Sequence, residues 1–114
     1  MNNVTTIKGL EYIDYSDLYD LSHTFENCSS LLNLDITHMD ISNVKTMNSM
    51  FKNCTSINKI YVGSGFDASS VSEGDDMFYG DVNIIGEEGT QYKESSTDKD
   101  FARVDGKDGV PGYL

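Results

Sequence analysis

Phe25-Glu26-Asn27-Cys28-Ser29-Ser30-Leu31 returns as Phe51-Lys52-Asn53-Cys54-Thr55-Ser56-Ile57, each matching pair 26 positions apart. A fixed period of this size marks a chain built from repeated units, each burying its apolar side against the next. Between the two copies lies one full unit. Leu31, Leu34 and Ile36 form an L-x-x-L-x-L pattern that predicts a strand with those three residues inward. Thr37-His38-Met39 is the turn. After Asp40-Ile41-Ser42-Asn43-Val44 come Met47, Met50 and Phe51 at the spacing of a short helix, with Ser42 or Asn43 placed to start it.

The same order continues on both sides. Ile57, Ile60 and Val62 predict the next strand, and Asp67, Ser69 and Val71 match Asp40, Ser42 and Val44 at an offset of 27, so Gly63-Ser64-Gly65 holds one extra residue. Met77 and Phe78 stand for Met50 and Phe51, but Gly74 replaces Met47 and Asp81 takes the cysteine slot. Towards the N-terminus Val4, Ile7, Leu10 and Ile13 suggest an extended edge, and Leu21, Thr24 and Phe25 share one face of a short helix. The expected fold is α/β, a short leucine-rich-repeat solenoid of strand-turn-short helix coils. Residues 1–81 form the coils, as a degenerate unit 4–28 and units 29–54 and 55–81. Residues 82–114, rich in Gly and anchored by Tyr92, Phe101, Val104, Tyr113 and Leu114, form a loop-rich C-terminal cap.

Nineteen acidic against eight basic residues give a net charge of −11, which repels nucleic acid and anionic membrane surfaces. The basic residues are scattered; only Lys99, Arg103 and Lys107 come near one another. The N-terminus lacks the charged and apolar regions of a signal peptide, and no window has the apolar length of a membrane span. Cys28 and Cys54 share one slot of successive units, where buried reduced thiols are expected and a disulfide is the alternative.

Few residues have the spacing that catalysis needs. His23 is expected on the outer side of its helix and His38 in a turn, while Asp40 and Asp67 recur with the repeat and are expected to bond the local backbone. Asp98, Asp100, Asp105 and Asp108 alternate with Gly as calcium ligands can, yet miss the EF-hand spacing and are interrupted by lysines. Neither enzyme activity, metal nor cofactor is expected. The Asn-Cys-Ser/Thr sequons at Asn27 and Asn53 are the repeat's own turn. What remains is a surface: Asn33, Asp35, Lys59 and Tyr61 point outward from adjacent strands and are the candidate binding residues.

The words Asp40-Ile41-Ser42-Asn43-Val44, Met47-Asn48-Ser49-Met50-Phe51 and Asn53-Cys54-Thr55-Ser56-Ile57 resemble the repeat of BspA-like leucine-rich-repeat surface proteins of bacteria. The tail from Gly89-Thr90-Gln91-Tyr92 through Phe101-Ala102-Arg103-Val104-Asp105-Gly106 to Pro111-Gly112-Tyr113 is similar to the segment closing many such arrays. The resemblance implies a secreted or cell-surface protein whose repeats adhere to host or cell-surface proteins. The expected function is a non-enzymatic protein-binding or adhesion module. Its rival is a structural spacer without a ligand, and a hydrolase is a remote alternative. An uncovered edge at residues 4–13 would also permit self-association.

Overall fold

The computed structural model describes residues 7, 9–63 and 66–114. The expected α/β leucine-rich-repeat solenoid is not what this chain forms. Among the described residues there is no α-helix. Regular structure consists of two three-residue parallel strands, β1 (Asn33–Asp35) and β2 (Lys59–Tyr61), and 3-10 turns at Leu10–Tyr12, Lys99–Phe101 and Lys107–Gly109.

The reason lies in the backbone of residues 21–28, 47–54 and 74–81, where helices were expected. His23 and Asn27, Ser49 and Asn53, and Asp76 and Gly80 all have φ between 55° and 86°. An α-helix needs φ near −63° at every position, so a left-handed residue every fourth place prevents it. The i, i+3 spacing of Met47 and Met50 belongs instead to consecutive tight turns. Within them Met50, Lys52 and Cys54 donate their N–H three residues back, at 3.2–3.3 Å.

The alternate N–H groups leave the unit altogether. Leu21, His23, Phe25 and Asn27 donate to the carbonyls of Thr46, Asn48, Met50 and Lys52, at 2.8–2.9 Å. Met47, Ser49, Phe51 and Asn53 repeat the pattern onto Glu73, Asp75, Met77 and Tyr79, at 2.7–2.9 Å. Main-chain donors that a helix would use internally thus join one turn segment to the next. Asn is among the few side chains at ease in the left-handed region, which explains Asn27 and Asn53. The third segment has Gly80 there, where a Cβ would also lie 2.4 Å from Asn53 Oδ1.

Stacking at 26–27 residues lines up like with like. Phe25, Phe51 and Phe78 form a column with ring centroids 5.8 and 5.5 Å apart, and Tyr113 closes it edge-on at 5.1 Å. β1 and β2 run parallel in the register Asn33–Lys59, Leu34–Ile60 and Asp35–Tyr61, with Leu34 and Ile60 inward. Isolated parallel bridges link Asp20, Thr46 and Glu73. Leu31, Ile36, Met47, Met50, Ile57 and Met77 are also buried, as their apolar spacing predicts. Ser42 and Asn43 start no helix; Asn43 Nδ2 reaches back 27 residues to the carbonyl of Ser16.

At the N-terminal end the expected extended edge is replaced, over Leu10–Tyr12, by a 3-10 turn. Ile7 and Leu10 pack on the core, Ile13 is exposed, and Val4 lies outside the described residues. At the other end the chain returns over the third segment. Thr97 accepts from Phe78 N–H, Tyr92 Oη from Gly80 N–H, and Lys99 N–H donates to Gly74. A Cβ on Gly74 would come within 2.5 Å of Lys99 Cβ, so the glycine admits this return. Buried Tyr113 accepts from Lys93 N–H and donates to the Ser96 carbonyl.

Candidate functional site

The 26-residue offset sets Asn33 beside Lys59 and Asp35 beside Tyr61 across the β1–β2 ladder, so all four expected binding residues share one exposed sheet face. Their freedom differs. Asp35 Oδ1 accepts from Thr37 N–H at 3.0 Å and from its hydroxyl at 2.7 Å, and these two bonds, the backbone one first, hold its carboxyl below the usual range. Lys59 Nζ donates to the Gly86 carbonyl at 3.0 Å. Asp35 and Lys59 are therefore tied in place. Tyr61, 47% exposed, makes no hydrogen bond through its hydroxyl among the described residues, and Leu32, 56% exposed, precedes β1. The face offers the Tyr61 ring framed by one fixed anion and one fixed cation, with Leu32 exposed just before β1.

The recurring aspartates act locally. Asp14, Asp20, Asp40 and Asp67 each accept from the N–H two residues on, at 2.9 Å, as expected for Asp40 and Asp67. That bond to the charged form lowers each carboxyl's pKa.

Two acids have surroundings that local sequence does not announce. Asp105, one of the calcium candidates, is buried and gathers four donors: the N–H groups of Glu88, Thr90 and Gly112 and the Thr90 hydroxyl, at 2.6–3.1 Å. Burial alone would raise its pKa, but these bonds outweigh burial and lower it. Both oxygens are thus engaged in holding the C-terminal segment, and no group of three or more metal-ligating side chains occurs among the described residues. Asp81 has the opposite surroundings. Fully buried in the slot of Cys28 and Cys54, it accepts from Cys54 N–H through Oδ1 at 2.8 Å, while Oδ2 has no partner among the described residues. Burial pushes its carboxyl up to about 9, a shift the Cys54 bond only partly opposes. The position signalled itself as a departure from the repeat, and burial there favours the neutral form of the acid.

Cys28 and Cys54 are free and buried. Burial is the main cause that raises both thiols, that of Cys54 to about 12, and its Sγ donates to the Phe25 carbonyl at 3.1 Å. Thiolate chemistry is thereby suppressed. His23 lies on the surface beside Glu26 at 3.1 Å.

Two grooves lie away from the sheet face. One, of about 540 Å³, separates His38, Met39 and Asp40 from Phe66, Asp67 and Ser69. The other, of about 430 Å³, runs from Phe66 to Lys99, Arg103 and Lys107. Neither includes Asn33, Asp35, Lys59 or Tyr61.

These features define a small repeat-built protein whose turns stack through an inter-unit backbone ladder. The chain belongs to the family described as Mycoplasma protein of unknown function, DUF285, whose model matches residues 1–101. Neither curated proteins nor solved structures gave a match to this chain. Among the described residues no helix is long and apolar enough to cross a membrane.

Proposed function

We propose that this chain is a non-enzymatic protein-binding module of a BspA-like surface or secreted protein, adhering to a host or cell-surface protein through the β1–β2 face. The observation that supports this reading is the in-register pairing of Asp35 with Tyr61 and of Asn33 with Lys59, with Leu32 and Tyr61 left exposed. Exposed aromatic and aliphatic groups supply contact area, and Asp35 and Lys59, already held by Thr37 and Gly86, lose little freedom on binding. The resemblance of Met47-Asn48-Ser49-Met50-Phe51 and its neighbours to the BspA-like repeat supports the location.

The test is capture of purified host-matrix and cell-surface proteins on immobilised chain, with a Leu32→Ala, Tyr61→Ala double variant alongside. Binding that disappears in a folded double variant supports the face. Binding that persists unchanged removes it, and absence of any captured ligand favours a spacer.

A further inference from the structure

The groove of about 430 Å³ between the turn at Phe66–Ser69 and the returning C-terminal segment has an unusual electrostatic character for this chain. Three of the protein's eight basic residues, Lys99, Arg103 and Lys107, line it, although acidic residues outnumber basic ones by 11 overall. Two carboxylates, Asp67 and Asp100, share the groove with them, so the lining carries one more cation than anion. Asp67 accepts from Ser69 N–H, and the Lys107 charge also helps to hold its carboxyl low; of the three cations only Lys99 forms an ion pair among the described residues, a loose one of 3.7 Å with exposed Asp100. Arg103 and Lys107 have no ion-pair partner among the described residues.

Arg103 is also pre-positioned. Its Nε donates to the Pro111 carbonyl at 2.6 Å, and its guanidinium lies over the Phe101 ring at 5.4 Å. One edge and one face are occupied, which leaves the terminal N–H groups as a fixed fork of the shape that a carboxylate fills. Phe66, Val104 and Val110 give the same groove an apolar lining.

We propose that this groove binds an acidic peptide segment, with Arg103 and Lys107 receiving its carboxylates and the apolar lining an adjoining aliphatic side chain. A bare oxyanion would leave that lining wet. A nucleic acid or an anionic membrane would bring many charges against a chain of net charge −11, whereas a short peptide brings one or two. The groove shares no residue with the β1–β2 face, so either site can fail without the other.

The experiment titrates the full chain with acetyl-Asp-Val-Asp-Val-amide and follows backbone amide NMR shifts. The Asn counterpart of the peptide and sodium sulfate are run in parallel. The expected result is saturable shifts confined to residues 66–69 and 99–110, with affinity falling at least about tenfold in Arg103→Gln and in Lys107→Gln. Should Arg103→Gln lose its fold with the Pro111 bond, Lys107→Gln decides, because that side chain makes no hydrogen bond among the described residues. The proposal is overturned if no shift saturates, if the Asn peptide binds equally well, if sulfate alone produces the same saturation, or if Lys107→Gln binds as tightly as the natural chain.

Discussion

Replacing Asp81 with Asn should turn a pH-dependent fold into one nearly indifferent to pH between roughly 5 and roughly 8. In the folded chain burial holds the Asp81 carboxyl at about 9, against the ordinary 3.8 that applies once the chain unfolds. Between those values folding takes up one proton, so the stability this group contributes is fully present below 3.8 and is lost as pH rises towards about 9. The slope is about 1.4 kcal/mol per pH unit, which makes about 4 kcal/mol between roughly pH 5 and roughly pH 8. That is a large part of the ~5–15 kcal/mol stability of a small domain. The window is well isolated. Carboxyls held low by hydrogen bonds, such as Asp105 and Asp40, act at more acid pH, and the raised thiols of Cys28 and Cys54 act at more alkaline pH. Asn keeps the side-chain shape and an oxygen for Cys54 N–H, but its buried amide N–H groups would lack acceptors, at a cost of ~1–3 kcal/mol at every pH. Urea unfolding of both proteins across the window should give curves that cross, with the natural chain more stable at acid pH and Asp81→Asn more stable at alkaline pH. Parallel curves would refute a buried neutral acid at this position.

Asp105→Ala should cost ~2–4 kcal/mol, since it strands four donors converging on one buried carboxylate, and Asp105→Asn should cost less; denaturant midpoints decide. Because its folded pKa is lowered, the contribution of Asp105 is present above 3.8 and is lost as pH falls through the folded value. Gly74→Ala should push the returning chain off the third segment at a cost of ~1–3 kcal/mol, with faster amide exchange at Lys99 and Phe78 than elsewhere. Uniform exchange would contradict the close approach. Asn53→Val should lose ~1–2 kcal/mol at a left-handed position while Asn53→Gly stays close to the natural chain, as thermal melts will show.

The repeat period and the buried columns could be read directly, because Phe25, Phe51 and Phe78 recur at an almost constant offset and aromatic residues must be covered. The helix expectation fails because Met47, Met50 and Phe51 have a spacing common to helices and to consecutive tight turns. A separating signal existed in part. Asn27, Asn53 and Gly80 occupy one slot, and all three favour the left-handed region. His23, Ser49 and Asp76 give no comparable hint. On the candidate face, strand pairing followed from the period. That Asp35 is tied down could have been read from Thr37 two residues on, since Asp40 bonds the N–H of Ser42 at the same spacing. The Lys59 bond to Gly86 spans 27 residues into a segment outside the repeat register, so no local pattern announces it. Gly74 stands in the slot of Met47, and its missing side chain is what lets residue 99 approach.

The ladder between turn segments also gives the stack a head and a tail. From Leu21 to Asn27 and from Met47 to Asn53 each of these bonds runs from an N–H of one unit to a carbonyl of the next, while just ahead of each row Thr46 and Glu73 donate back to Tyr19 and Lys45. The first unit therefore ends in a file of acceptors, the carbonyls of Asp20, Ser22, Thr24 and Glu26, which receive no N–H among the described residues. At the last unit two of the four corresponding donors, Phe78 and Gly80 N–H, meet Thr97 and Tyr92 of the same chain. Two molecules brought together head to head along this row would set carbonyl oxygen against carbonyl oxygen. Addition at the acceptor row takes a strand or turn that arrives with its amides forward, and at the other end of the stack two such amides, those of Phe78 and Gly80, are already engaged within the molecule.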